Sequence, residues 1–590
     1  MESGSNRKYV YIVVCASALF TCGVSQISII SGNTTENRTT FAGLAYVTQF
    51  DNTNYTVAKF LGIAYARPPL GEKRFSKPEP VDHGNMTYDA TQFKSICYQR
   101  AAPNDGCQKG NTMAEDCLYL NIYVPLPSIN PLTVSSTESS VSNASLPTML
   151  LPEVQDKFPV FVFIHGGAYV DGNGNCYSGS VLAAFGEIIV VTINYRLNVF
   201  GFISTDDDII PANLGLWDQH EAIKWVSENV HIFGGDPTRI TVGGHSSGAY
   251  SAVFQGLFPG NDNLFHRVIS QSGTPASPKG IFLKSYTTAR NLATSLGCNI
   301  TGAANTSSEI KSCLMKQDAT RLAEAVVPPI VPFSLGIAPT IDGNFVAVDP
   351  FTILERPSER DPALKIPDGF RGKDLLIGFT AEDGEVILRL RAREKVLETN
   401  NMSFISELLR SPLSREAWMQ LIFEILAESS DDRVDDVLIG AVLDKYMDWS
   451  APDDLVVLSN RVVRMLTDVV FAIPAVNTAL SHVLSSHNIT LSMPGDGNST
   501  GINSIATNST AANTTAANSD ATSGTGGTTF LYRFTLPITN EQYTRKYISW
   551  LSGTEHSDEI PFVFGQIVSN GSVRIAKTVM KYWSNFVKTG

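Results

Sequence analysis

The chain is short of positive charge. It carries 44 Lys and Arg against 57 Asp and Glu, a formal net charge of −13, so no nucleic-acid partner is expected. Beyond the N-terminus there is no run of 18 apolar residues, which excludes an internal helical membrane span. Neither C-x-x-C nor H-E-x-x-H occurs, and neither a metal nor a cofactor is expected. No internal repeat is visible. Cysteine is sparse, at 8 in 590 residues. What remains is a globular composition, 43% hydrophobic, on a chain long enough to bury a large core.

The N-terminus carries an address. Arg7 and Lys8 precede a largely apolar core, Val10–Phe20, and then the small residues Gly23 and Ser25. That core is too short to span a bilayer, and the layout is that of a cleavable signal peptide over residues 1–25. Thirteen Asn-x-Ser/Thr acceptors, from Asn33 to Asn570, fit an exported glycoprotein secreted to the extracellular space. Cys15 and Cys22 leave with the leader. Six cysteines remain (Cys97, Cys107, Cys117, Cys176, Cys298 and Cys313), an even count that favours disulfides in an oxidising compartment.

Strand-like and helix-like segments alternate along the chain. The expected fold class is therefore α/β, a large, mostly parallel central sheet flanked by helices. "PVFVFIHGG" and "IIVVTINYR" are continuous apolar runs of the kind buried parallel strands show. "DQHEAIKWVSENVHIFG" opens with Asp218 and Glu221 at capping-box spacing. "VVRMLTDVVFAIPAVNTALSHVL" is helical, with Pro474 expected to kink or divide it. In the closing segment, Ile575, Val579, Trp583 and Phe586 fall on one helical face. The tract from about 485 to 529, rich in Asn, Ser, Thr, Ala and Gly, is expected to be disordered and glycosylated.

One short pattern carries chemistry. Gly244-His245-Ser246-Ser247-Gly248 fits G-x-S-x-G, the strand-to-helix elbow that holds a nucleophilic serine at the top of an α/β-hydrolase sheet. Gly497-Asn498-Ser499-Thr500-Gly501 fits equally well, but it lies in the low-complexity tract with no strand before it. The hydrolase order of serine, then acid, then histidine leaves His482, His487 and His556. His556, in the polar loop "WLSGTEHSDEI", is the best base. Asp383 follows the strand "DLLIGFT" and is the preferred acid, although spacing leaves Glu382 and Glu385 open. The loop "HGGAY" offers the N–H groups of Gly167 and Ala168 as an oxyanion hole, with Ser247 as third donor.

The chain resembles the type B carboxylesterases, which include the cholinesterases and the catalytically dead neuroligins. The resemblance rests on "FLGIAYARPPLGEKRF", "AEDCLYLNIYVP", "VFIHGGAY", "NYRLNVFGF", "NLGLWDQ", "FGGDP", "LFHRVISQSG", "DEIPFVFG" and "KYWSNFVKTG", all in order. It implies an α/β-hydrolase domain over 26–590, interrupted by the low-complexity insertion. It also implies Ser246 as nucleophile, His556 as base and Asp383 as acid. Disulfides Cys97–Cys117 and Cys298–Cys313 and ion pairs Arg74–Glu115 and Arg196–Asp218 are carried over in the same way.

The chain departs from the family in informative places. Its acid is Asp where Glu is usual, and His245 and Ser247 replace the Glu and Ala that flank the nucleophile in cholinesterases. No Trp lies between Cys97 and Cys117, where cholinesterases carry the ring that faces a quaternary ammonium. Cys107 stands near its expected place, and a Cys107–Cys176 bridge is a further possibility. The chain ends at Gly590 without the Cys or hydrophobic tail that would support subunit linkage or a lipid anchor. The expected activity is hydrolysis of small neutral esters through an acyl-enzyme. The alternatives are a neuroligin-like adhesion protein and a cholinesterase.

Overall fold

A computed structural model describes residues 12–15, 24–31, 39–84, 86–100, 111–126, 148–149, 156–278, 285–300, 306–325, 337–354, 366–399, 410–427, 436–486, 526–538, 548–566 and 570–590. Among these, a 13-stranded sheet organises the chain. Six neighbouring strands run parallel, in the spatial order Thr529–Phe534, Asp374–Thr380, Arg267–Gln271, Gly235–His245, Phe158–Ile164 and Ile189–Ile193. Tyr119–Leu126, Thr53–Ala64, Thr39–Phe50, Val24–Ser31 and Ile12–Cys15 then extend it antiparallel. This is the expected α/β-hydrolase architecture, with an antiparallel N-terminal half that the apolar runs did not signal.

The continuous apolar strands are explained by burial on both faces. Along Phe158–Ile164, Val160, Val162 and Ile164 enter one buried cluster, while Phe161 and Phe163 enter another on the opposite face. Each fully buried Phe or Val is worth roughly 1.5–3 kcal/mol relative to exposure. The closing helix Asn570–Thr589 covers the second face, with Val579, Trp583 and Phe586 buried and Ile575 partly so, as its spacing predicts.

Some local expectations need correction. Asp218 does not cap a helix. It lies inside Leu214–Asn229, which starts after Asn213, and its carboxylate takes Arg196 in a bidentate pair at 2.7 and 2.8 Å. The segment around Pro474 is divided as expected: the π-turn Asp468–Ala472 lies just before it and separates Leu455–Thr467 from Ile473–Ser486. Ser485 and Ser486 are still helical, and Thr529 already belongs to a strand. Residues 487–525, including the second G-x-S-x-G, lie outside the described residues, as does His487.

Ser486 and Gly526 touch: a Cβ built on Gly526 would fall 2.2 Å from the Ser486 carbonyl oxygen. Ile12–Cys15, paired with Val24–Ser31 on one side and Thr148–Met149 on the other, falls within the expected leader. No described helix is long and apolar enough to cross a membrane.

Candidate active site

Parallel strands end at one edge, and loops leaving adjacent strand ends must cluster there. Ile164 lies opposite Gly244, and His245 opposite Gln271. The register therefore brings the loop His165–Tyr169, the turn at Ser246 and the turn after Thr380 side by side. Helix Ser247–Leu257 starts directly from the turn, and Ser246 is held at φ 56° and ψ −128°. That is a sparsely populated conformation for a residue with a side chain, of the kind found at functional sites. Ser246 is half-buried while both neighbours are buried. The turn also needs its glycine. A Cβ on Gly248 would fall 2.1 Å from the Ile164 carbonyl oxygen, closer than any side chain allows.

The HGG loop lies directly against the serine. A Cβ on Gly166 would come within 2.9 Å of the Ser246 Cβ. Gly167, Ala168 and Tyr169 all have positive φ, at 120°, 53° and 62°, which curls the loop so that successive N–H groups share a concave side. Tyr169 N–H donates to Ser247 Oγ at 3.3 Å. No acceptor among the described residues takes the N–H of Gly167, Ala168 or Ser247. Three unengaged donors beside the serine are what an oxyanion site requires.

Three acids compete for the histidine in sequence, and in space they do different work. Asp383 Oδ1 meets His556 Nδ1 at 2.7 Å, both side chains being buried, and Asp383 Oδ2 accepts Thr380 N–H at 2.8 Å. Glu382 accepts Thr554 N–H at 2.6 Å. Glu385 accepts His556 N–H at 3.2 Å while paired bidentately with Arg389. The glutamates thus hold the backbone of the histidine loop, and the aspartate holds the ring. His482 is engaged elsewhere, with Thr529 Oγ1 and the Phe370 carbonyl.

Other contacts of the site carried no sequence signal. His556 meets the rings of His245 and Phe471, with centroids 4.6 and 5.5 Å away. Phe471 lies in the π-turn, whose position no motif marks. Glu559, fully buried, bonds weakly to Gln271 Nε2 at 3.4 Å, and its Oε2 has no partner among the described residues. Gln271 Oε1 in turn accepts Trp583 Nε1–H from the closing helix. Desolvation, reinforced by Asp383, pushes the Glu559 carboxyl up to about 8, and desolvation raises Asp558 to about 7.

A raised carboxyl stabilises the fold when protonated, so its contribution is complete at acid pH and is lost as pH rises through the folded value. Thermal stability is therefore expected to fall between about pH 4.5 and pH 8, and Glu559→Gln to flatten that fall. Melting curves across this range check it, and parallel slopes for the two proteins would refute the assignment.

The covalent and ionic supports are in place. Cys97–Cys117 and Cys298–Cys313 are disulfides. Cys176 is disulfide-bonded, and Cys107 lies outside the described residues. Arg74 grips Glu115 through two bonds, at 2.5 and 2.9 Å.

Comparison with known proteins agrees with this architecture. The carboxylesterase family profile matches residues 39–492 and 495–590. The chain belongs to the carboxylesterase family. Within that family it is 29% identical to neuroligin-2 of Mus musculus over 568 residues, covering 90% of this chain and 57% of the relative. It is 28% identical to neuroligin-3 of Mus musculus, covering 90% and 58%. It is also 28% identical to acetylcholinesterase of Danio rerio, covering 90% and 76%. The chain thus spans less than two thirds of the length of the neuroligins it matches.

Proposed function

We propose that this carboxylesterase-family chain is an exported, glycosylated serine esterase acting on small neutral esters. The observation that carries the proposal is the Asp383–His556 bond at 2.7 Å, at the same sheet edge as a serine held in the strained elbow conformation. In the proposed reaction His556 takes the Ser246 proton as Oγ attacks the ester carbonyl. The N–H groups of Gly167, Ala168 and Ser247 hold the oxyanion, and the alkoxide leaves with the proton from His556. Water activated by the same histidine then releases the acid and restores Ser246.

Neutral substrates are favoured because His245 brings no negative charge beside the serine and no Trp lies between Cys97 and Cys117. The exposed acceptors Asn54 and Asn299 fit a glycosylated product. A second reading, adhesion without catalysis, comes from the neuroligin relatives, and Ser246 and His556 oppose it.

One experiment separates the readings. Purified secreted protein is expected to take a fluorophosphonate probe and to turn over neutral esters. Its kcat/KM for a choline ester should be no higher than for the isosteric neutral ester. Absence of labelling and turnover would favour adhesion. A choline preference of ~100-fold, equivalent to about 2.7 kcal/mol, would favour a cholinesterase.

A further inference from the structure

His245 is the residue of the elbow that the proposed mechanism leaves idle, and its surroundings are unusual. It ends the strand Gly235–His245, directly before Ser246, and is 4% exposed. Its ring meets that of His556 at 4.6 Å with a 44° tilt, and its Nε2 has no hydrogen-bond partner among the described residues. A buried imidazole nitrogen without a partner is unfavourable, so this ring is not held by polar bonding at that atom. Desolvation first, then the neighbouring His556 and Arg389, keep it far below the usual histidine range.

His556 has few other restraints. Asp383 fixes Nδ1 at one edge, Glu385 fixes the backbone N–H, and Phe471 supplies the only other ring contact among the described residues. A single hydrogen bond at one edge does not by itself fix the tilt of the imidazole, which the packing around this buried ring must set. Ring contacts supply that packing.

We propose that His245 is a positioning residue for His556, its ring setting the tilt at which the imidazole keeps Nδ1 on Asp383 and turns Nε2 toward Ser246. This rests on the esterase reading for its catalytic consequence, although the contact itself does not. Ring against ring is the operative feature, so a phenyl group should serve where a flexible amide does not. A neutral ring also keeps His556 the sole imidazole that takes a proton, because a cation at His245 would oppose the imidazolium formed during acyl transfer. The groups that face this pair are Asp383, Glu385 and Arg389, with Asp558 and Glu559 of the histidine loop close enough to be raised by Asp383.

The test compares the full-length secreted wild type with His245→Gln and His245→Phe, each checked for an unchanged melting profile. His245→Gln is expected to lower kcat about tenfold with KM within about twofold, and His245→Phe to stay within about threefold of wild type in both. Equal kcat for His245→Gln and wild type, or an equal loss in both variants, would overturn the proposal. The far-downfield proton resonance of His556 Nδ1–H supplies a readout that needs no turnover. It is expected to be sharp in wild type and His245→Phe, and broadened by exchange in His245→Gln. If the wild type hydrolyses no ester, the esterase reading fails, and this resonance still decides whether His245 holds the ring.

Discussion

Ser246→Ala is expected to lower kcat by about 10⁶-fold while leaving the fold unchanged, since removal of a triad serine alone has an effect of that order in a better-known serine hydrolase. The loss is large because the other hydroxyl at the elbow, Ser247 Oγ, is buried and accepts Tyr169 N–H. Any residual rate should come from the N–H groups of Gly167, Ala168 and Ser247, which still polarise a bound carbonyl. Folding should survive because the backbone conformation at position 246 is imposed by its surroundings. Ser246 N–H donates to the Gln271 carbonyl, and Gly248 packs against Ile164. Ester turnover and probe labelling of the variant check this. Undiminished turnover would mean that a contaminant or another nucleophile does the chemistry. Ser499→Ala, in the second G-x-S-x-G pattern, provides the matching control with no expected effect.

Asp383→Asn carries the next largest expectation, a kcat lower by up to ~10⁴-fold, the loss seen when an amide replaces the triad acid elsewhere. An amide can donate as well as accept, so it permits the imidazole tautomer with its proton on the wrong nitrogen. The neutral side chain also no longer stabilises the imidazolium. Glu382→Gln and Glu385→Gln should be far milder, about tenfold or less in kcat, because an amide oxygen still accepts the N–H groups of Thr554 and His556. Steady-state kinetics of the three variants decide among the acids. A loss concentrated in either glutamate variant would move the acid role away from Asp383.

The sequence made much of this legible because the relevant constraints are local. The elbow glycines, the apolar strands flanking them and the polar loop before "DEIPFVFG" each state a requirement within about a dozen residues. The parallel strands and the closing helix followed from such stretches, whereas the disulfides Cys97–Cys117 and Cys298–Cys313 were implied only by the resemblance to the type B carboxylesterases. Spacing could not separate three carboxylates in "AEDGE", since the choice depends on which one turns toward a ring 173 residues away. The capping role read from the spacing of Asp218 failed for a related reason, while the Arg196–Asp218 pair implied by the resemblance is present. The capping-box spacing is real, but a buried arginine distant in sequence claims the carboxylate. Phe471 left no trace at all, because its contact with His556 depends on a π-turn that rotates the helix face. The antiparallel half of the sheet went unannounced because its strands are less uniformly apolar than the central ones.

The contact between Ser486 and Gly526 fixes both ends of the intervening tract at one point of the scaffold. A segment that leaves and returns at the same point places no geometric demand on its own length. By the general rule for chain closure, the cost of joining two fixed ends grows only with the logarithm of the length between them, each doubling costing about 0.6 kcal/mol. The neighbouring strand Thr529–Phe534 and helix Ile473–Ser486 hold each other directly, through His482 and Thr529. Their junction is thus a natural port in the scaffold, where a change of length is expected to leave the sheet that carries Asp383 unaltered.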